Sequence, residues 1–224
     1  MSFVVTIDGP AGAGKSTVAK RLAKRLGVRY LDTGAIYRAL AYWMDKTGVP
    51  PEQEDEISRK LASLKIRIEK DKSDTDCVFV NDENVTGSIR STRIDRIVSG
   101  YAALKPVRDA LLDMQREQAE YGGLIADGRD TGSVVFPNAD LKFFLTASPD
   151  ARAERRYKEL SRKGEAVGYN EVLSRIKERD RLDTTREAAP LAEPKDSIRI
   201  DTSHMEEAEV VNELAFIIQA KLRE

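Results

Sequence analysis

One cysteine, one histidine and one tryptophan stand among 224 residues. The single cysteine, Cys77, rules out an internal disulfide and fits a reducing compartment. Cys77, Trp43 and Tyr101 are expected to serve packing rather than chemistry. Long hydrophobic runs are missing as well: no stretch approaches the roughly 20 apolar residues that a bilayer-spanning helix needs. The opening MSFVVTIDGP has no basic region of the kind that precedes a secretory signal, and its apolar run is too short for one. Neither sign of charge is in excess, with 37 Lys plus Arg against 38 Asp plus Glu. Nothing therefore suggests a tail for nucleic acid or for a membrane surface. Internal repeats and low-complexity tracts are absent. These absences leave a soluble protein, expected in the cytoplasm, long enough for one α/β domain with a modest insertion.

What is present alternates. Phe3 to Ile7 is a short β-branched run of the kind found in buried parallel strands. Asp8 and a glycine-rich loop follow, and then STVAKRLAKRLG, whose Val18, Leu22 and Leu26 recur at helical spacing before Gly27 closes the segment. Val28 to Leu31 reads as a second strand, and DTGAIYRALAYWMDKTG as a second helix. Residues 64 to 90 change character: LKIRIEKD alternates apolar and polar, CVFV and VTGSIR follow, and Asn81 to Asn84 supply a turn, so short antiparallel strands are expected. Residues 91 to 121 return to helix. Leu124 to Asp127, Leu141 to Ala147 and Ser197 to Asp201 read as further strands. Ala151 to Lys163 and Asn170 to Asp183 read as helices around the turn KGEAVGY, and Met205 to Arg223 as a closing helix. The expected fold is α/β, a three-layer arrangement with a five-stranded parallel sheet, carrying a small antiparallel β insert and a short helical lid.

The stretch GPAGAGKST at residues 9 to 17 is a phosphate-binding loop in its proper context, between a strand and a helix. Its glycines let backbone N–H groups turn toward phosphate oxygens, and the next helix presents its positive end to the same anions. Lys15 is expected to reach the β and γ phosphates and Ser16 to ligate Mg²⁺. Asp127 ends an apolar strand, where an acid that approaches the metal through a bridging water belongs. Asp8, beside the loop, is a second acid of this kind, or else a turn-forming acceptor.

Arginine gathers at the same end of the expected sheet. Arg38 opens the helix after the second strand, and Arg129 follows the strand GLIAD directly. Ligands of open parallel sheets sit beyond the carboxyl ends of the strands, so both arginines should face the crevice of the loop. In RIKERDRLDTTR, the residues Arg175, Arg179, Asp183 and Arg186 fall within roughly an 80° wedge of a helix. Such a face is either an anion cradle or an ordinary solvated face with i,i+4 pairs. Guanidinium forks suit phosphate oxygens, and two anion sites on one crevice suggest transfer between two phosphates. A phosphate acceptor is already ionised near neutral pH, which fits a chain whose only histidine, His204, reads as a surface residue.

DGPAGAGKST, LDTGAIYR, the long insert, IADGRDTGSVVFP, IKERDRLDTTR and the APL after it together resemble bacterial cytidylate kinases, from residue 3 to about 220. The resemblance implies a nucleoside monophosphate kinase of the P-loop class, transferring the γ-phosphate of ATP to CMP or dCMP with Mg²⁺, as a monomer. It implies a single domain over 1–224, with a nucleotide-binding insertion near 36–110, its antiparallel sheet near 64–90, and a lid near 155–186. Gly9, Pro10, Ala11, Gly12, Ala13, Gly14, Lys15, Ser16 and Thr17 correspond to the ATP loop. Arg38, Arg129 and Arg186 correspond to arginines around the acceptor phosphate, with Thr33 and Tyr37 in the same acceptor segment. Ser99, Arg108 and Asp130 correspond to residues that hydrogen-bond cytosine, and Arg179 and Asp183 to the pair near the sugar 2′ position. Lys15, Arg129, Arg179 and Arg186 are thereby the expected catalytic set. Cytosine offers an amino donor beside two acceptors, so a carboxylate at Asp130 would pair with it and would meet uracil acceptor to acceptor.

Two other readings share the loop. A kinase for another small acceptor would share the sheet as well, but IADGRD and the insert argue against it. A nucleotide switch would need ordered sensing loops, and the guanine-reading NKxD is absent.

Overall fold

The computed structural model describes residues 3–73 and 75–223. Met1, Ser2, Asp74 and Glu224, which fall within the expected 1–224 domain and, for Asp74, the 64–90 sheet, lie outside the described residues. The chain divides into two compact units, one formed by Met1–Leu31 with Arg116–Glu224 and the other by Asp32–Gln115.

The first unit is built on a five-stranded parallel sheet flanked by helices. Its strands are β1 (Val4–Asp8), β2 (Arg29–Asp32), then, after three strands of the second unit, β6 (Leu124–Gly128), β7 (Leu141–Thr146) and β8 (Ile198–Asp201). They lie in the order β2-β6-β1-β7-β8. Strands β1 and β6 pair in parallel with Asp8 opposite Gly128, and β1 pairs with β7 on its other side. All five residues of β6 are buried, which is why LIADG reads as a continuous run rather than an alternating one. On one face, Val5, Ile7, Phe143 and Leu145 pack with Val18 and Leu22 of α1 (Lys15–Leu26) and Leu214 and Ile218 of α8 (Glu207–Lys221). The other side of β1 meets the segment after β6. A Cβ on Gly132 would sit 2.6 Å from Thr6 Oγ1.

Helices α6 (Pro149–Arg162) and α7 (Tyr169–Thr185) form a hairpin with an apolar seam of its own, Ala153, Leu160, Val172 and Ile176. Ser148 caps α6 by accepting from the Ala151 amide, with Pro149 in the first turn, where its missing N–H costs nothing.

In the second unit, α2 (Thr33–Lys46) is capped by the Asp32 carboxylate, which accepts from the Ala35 amide. Helix α3 (Glu54–Leu61) precedes an antiparallel sheet of β3 (Ile66–Lys70), β4 (Asp76–Val80) and β5 (Glu83–Asn84). The turn between β4 and β5 puts Asn81 and Asp82 at φ 45° and 70°, a conformation that these short polar side chains tolerate. The sheet packs Val78 and Val80 against Ala35 and Ala39 of α2. Where the sequence pattern continues strand through VTGSIR, Ser88–Arg90 instead forms a 3-10 turn. The helical stretch from 91 to 121 divides into α4 (Thr92–Ala102) and α5 (Lys105–Glu117), with a short 3-10 turn after it. Pro106 accounts for the break: it cannot donate to a preceding carbonyl and is tolerated in the first turn of α5. Among the described residues, no helix is long and apolar enough to cross a membrane.

Two glycines separate steric demand from backbone freedom. Gly9 has φ 144°, and a Cβ there would lie 1.9 Å from the Leu145 carbonyl oxygen of β7, whereas Gly27 has φ 66° and open space around it. Gly27→Ala is expected to cost about 1–2 kcal/mol, the strain of a left-handed alanine. Gly9→Ala should cost more, because the loop or β7 has to move. Urea unfolding of the two variants reads this order directly.

Candidate active site

The phosphate-binding loop leaves β1 at the centre of the sheet, where the strand order changes direction. Gly12 and Gly14 take left-handed backbone, at φ 80° and 89°, and Gly14 occupies the N-cap of α1. Lys15 is buried, and its Nζ donates to the Pro10 carbonyl at 2.8 Å. Burial lowers its pKa well below the usual lysine value. The Arg129 and Arg179 charges act in the same direction, and Asp127 and Asp8 oppose them. Ser16 Oγ donates to Asp127 Oδ2 at 2.8 Å, and the Tyr30 hydroxyl donates to Asp127 Oδ1 at 2.8 Å. Asp127 stands opposite Ile7 in the paired strands, and this register brings the end of β6 level with the loop.

Asp8 acts as the turn-forming acceptor. Its two carboxylate oxygens accept from the amides of Thr131 and Gly132 at 2.8 and 2.6 Å. Burial raises its pKa, and those two backbone donors pull against the rise. The amides belong to a wide π-helical turn over Thr131–Val135, an element often found at functional sites. The bond pins the chain immediately after Gly128, Arg129 and Asp130.

Three arginines of this unit converge on two carboxylates. Arg129 Nε donates to Asp183 Oδ2 at 2.7 Å, and Arg179 Nε lies 4.0 Å from the same oxygen. Arg186 extends one amino group toward Asp130 Oδ1 at 3.4 Å and donates Nε to the Ala189 carbonyl at 2.8 Å. Burial pushes the Asp183 carboxyl up. The charges of Arg129 and Arg179, the Arg129 hydrogen bond and the Arg186 charge outweigh it, so its pKa lies below the usual 3.8.

The helical wedge expected for residues 175 to 186 is only partly realised. Arg175 pairs with Glu171 four residues before it, the ordinary i,i+4 arrangement. Arg186 lies one residue beyond α7 in extended backbone, φ −63° and ψ 143°. It meets Asp130 from outside the helix. Asp180, which the wedge omits, accepts a two-pronged bond from buried Arg152 on α6. Neither Tyr30 nor Arg152 stands out in the sequence, because their partners lie 97 and 28 residues away along the chain.

The remaining expected residues belong to the Asp32–Gln115 unit. Thr33 is buried at the start of α2. Arg38 Nε donates to Asp95 at 3.1 Å, and one of its amino groups lies 2.9 Å from where a Cβ on Gly34 would be. Glycine at 34 is what lets that guanidinium fold over the helix start. Arg108 lies 5.3 Å above the Tyr37 ring and donates to the Ala102 carbonyl. Ser99 is buried on α4. Asp32 also binds Arg90. Its pKa is lowered because the Arg90 and Arg38 charges overcome the opposing effect of burial. Arg90 is a further cation beside the LDTGAIYR segment, and the sequence reading passed over it.

A glycine loop joining the central strand of a parallel sheet to a helix, with a buried lysine and partly buried arginines beyond the strand ends, defines a P-loop nucleotide-binding protein. The family model for cytidylate kinase matches residues 5–220. A curated cytidylate kinase of Listeria welshimeri is 46% identical over 97% of this chain and 96% of its own length. One from Listeria innocua is 47% identical over 98% of this chain and 97% of its own. The solved structure of an uncharacterized protein from Eubacterium ventriosum shares the fold at TM-score 0.53 and 12% identity, covering 97% of this chain and 98% of that one. The chain belongs to the cytidylate kinase family, and it is an enzyme of the nucleoside monophosphate kinase class.

The Asp183 cluster yields a pH prediction. Its folded pKa lies below 3.8, so it contributes stability that is fully present above the unfolded value and is lost as pH falls through the lower folded value. Asp183→Asn is expected to be less stable at neutral pH, because Arg129 keeps a buried charge without its partner. It should also lose less further stability on acidification below about pH 4. Urea midpoints at stepped pH for both proteins check this; parallel acid limbs would contradict it.

Proposed function

We propose that this enzyme transfers the γ-phosphate of ATP to CMP or dCMP, releasing ADP and the nucleoside diphosphate. The observation that carries the reading is the group of cations at the end of the sheet: buried Lys15 in the loop, and the partly buried Arg129, Arg179 and Arg186 beside Asp183 and Asp130.

Each part then has a task. Residues Gly9 to Thr17 cradle the ATP phosphates through backbone N–H groups. Lys15 contributes a charge that burial disfavours and that a polyphosphate beside it would favour. Ser16 and Asp127, joined at 2.8 Å, offer hard oxygen donors at one point, which suits Mg²⁺ with Ser16 as direct ligand and Asp127 through water. Among the described residues no cluster of three or more His, Cys, Asp or Glu forms a metal cage, as expected of a metal held largely by phosphate and water. Bound there, Mg²⁺ would neutralise charge on the transferring phosphoryl group. Arg129 spends Nε on Asp183, which fixes the plane of its guanidinium and aims its other N–H groups. With Arg38 and Arg186, it holds the acceptor phosphate, and Arg179 lies alongside to stabilise charge in transfer. An acceptor phosphate oxygen attacks the γ-phosphorus, the bond to the β–γ bridging oxygen breaks, and ADP leaves. The acceptor oxygen is already ionised, so no general base is required.

For the base, Asp130 accepts from the cytosine amino group, while Ser99 and Arg108 donate to its acceptor atoms. Asp183 with Arg179 lies at the sugar 2′ position, and Thr33 and Tyr37 line the acceptor segment. The α6–α7 hairpin serves as the lid, excluding water and so suppressing ATP hydrolysis.

Turnover of ATP measured against AMP, CMP, dCMP, UMP and GMP is expected to be fastest with CMP or dCMP; a clear preference for AMP or GMP would refute the assignment. Asp130→Ala should narrow the ratio of CMP to UMP turnover, since the carboxylate that would meet uracil acceptor to acceptor is gone. Lys15→Ala is expected to cost at least about 100-fold in kcat; near-normal turnover would remove Lys15 from the reaction.

A further inference from the structure

Arg152 lies on α6, outside every set of residues discussed above as touching nucleotide, and it is 3% exposed. Its guanidinium is bonded on all sides. Nε donates to the Ala147 carbonyl at 2.9 Å, at the end of β7. One amino group donates both to the Ala11 carbonyl of the phosphate loop at 3.1 Å and to Asp180 Oδ1 at 2.9 Å. The other donates to Asp180 Oδ2 at 2.7 Å. The stem passes close beneath the loop, since a Cβ on Gly12 would lie 3.1 Å from Arg152 Cβ. Four of the five guanidinium N–H groups are thus used, on three separate pieces of chain.

Asp180 follows Arg179 directly in α7, the helix that also carries Asp183. One planar group therefore ties the loop to the helix that supplies the arginine–carboxylate cluster. We propose that Arg152 is a positioning residue for phosphoryl transfer, a rigid strut that sets the register between the phosphate-binding loop and α7. A helix is stiff along its length, so anchoring α7 at Asp180 fixes where Arg179 and Asp183 stand relative to Lys15. Lysine cannot substitute, because a single ammonium cannot make the fork to Asp180 while also bonding two carbonyls in the guanidinium plane. The proposal rests on the reading that Arg179 stabilises charge at the reacting phosphates. Displacing a positioned group by about 1 Å can cost on the order of 100-fold in rate, and Arg152 itself is assigned no contact with either nucleotide.

The test uses three variants of the full chain: Asp180→Asn, Arg152→Lys, and the apolar pair Arg152→Met with Asp180→Leu. Each is assayed for kcat, for both KM values and for thermal midpoint. Asp180→Asn and Arg152→Lys are expected to lower kcat about ten- to 100-fold, with both KM values within about twofold of wild type. The apolar pair removes both charges and fills similar volume, so it should recover thermal stability while kcat remains low. Wild-type kcat in either single variant overturns the proposal. So does kcat that recovers with stability in the apolar pair, because the strut would then be a folding element alone. So does a rise in KM at unchanged kcat. Turnover is read with the best acceptor of the nucleotide panel. A wild-type enzyme that favours a different nucleotide therefore defeats the cytidylate assignment while the strut is still judged.

Discussion

Asp183 is almost completely buried, and its carboxylate is bonded to Arg129 with Arg179 beside it. Taking a carboxylate and a guanidinium out of water costs several kcal/mol each, and only close geometry with further hydrogen bonds returns it. Burial alone would raise the Asp183 pKa; the guanidinium charges reverse the sign. The charged pair is thus conditional on its own assembly, because either partner alone would be an uncompensated buried charge. Such a pair adds little net stability compared with packed apolar residues. Its value is orientation: a guanidinium whose Nε is committed to a carboxylate can present its remaining N–H groups in one plane only. At Arg186 and Arg152 the division differs: Nε is committed to a backbone carbonyl, and the amino groups face Asp130 and Asp180. Each of these guanidinium groups is oriented by protein acceptors before any phosphate is considered.

The loop is held by a different means, which is steric exclusion. Gly9 sits where β7 leaves no room for a side chain, Gly12 passes over the Arg152 stem, and Gly132 lies against Thr6 and Asp8. In each case the absent Cβ allows backbone to approach a neighbouring element closely, and at Gly12 and Gly132 a polar bond then locks the approach. Asp8 illustrates the second half of that device. Its carboxylate gathers two amides from the turn after β6, so the chain bearing Arg129 and Asp130 is fastened to the strand that feeds the loop.

The sequence made legible whatever is local in the chain. The strand–loop–helix of residues 3 to 27, the acid closing β6 and the β4–β5 turn all follow from neighbours within a few residues, where periodicity and turn chemistry operate. Helical spacing placed Arg179 and Asp183 together correctly, because both lie inside α7. For Arg175 the second of the two readings, an ordinary i,i+4 pair, holds, since it pairs with Glu171 four residues earlier on its own helix. Helical spacing assigned Arg186 to a helix that ends one residue before it. Ser16 and Asp127 were brought together by the chemistry of the loop, but Tyr30 and the partners of Arg152 were beyond reach for a plainer reason. Tyr30 lies 97 residues from Asp127, and Ala11 lies 141 from Arg152. Only the order of strands brings them together, and no spacing rule encodes it. The π-helical turn after β6 was hidden likewise, since TGSVV carries a β-branched pattern that local propensity assigns to strand.

The scarcity of histidine now has a physical reading. His204, the only one, is exposed. Transfer to a hydroxyl asks an enzyme for a base poised near neutral pH, and a chain built for it would keep a titratable group against the acceptor. Transfer to a phosphate removes that demand, because the acceptor oxygen carries its charge already. The problem left to the protein is repulsion between two anions that must be brought within bonding distance. In the proposed transfer, cations that hold their charge across the physiological range would offset it, and arginine suits that task better than any other side chain. A buried lysine is the exception that tests the rule, since burial and two neighbouring guanidinium groups lower the Lys15 pKa. Under the proposed function a polyphosphate against it would favour the charged form, opposing the effect of burial.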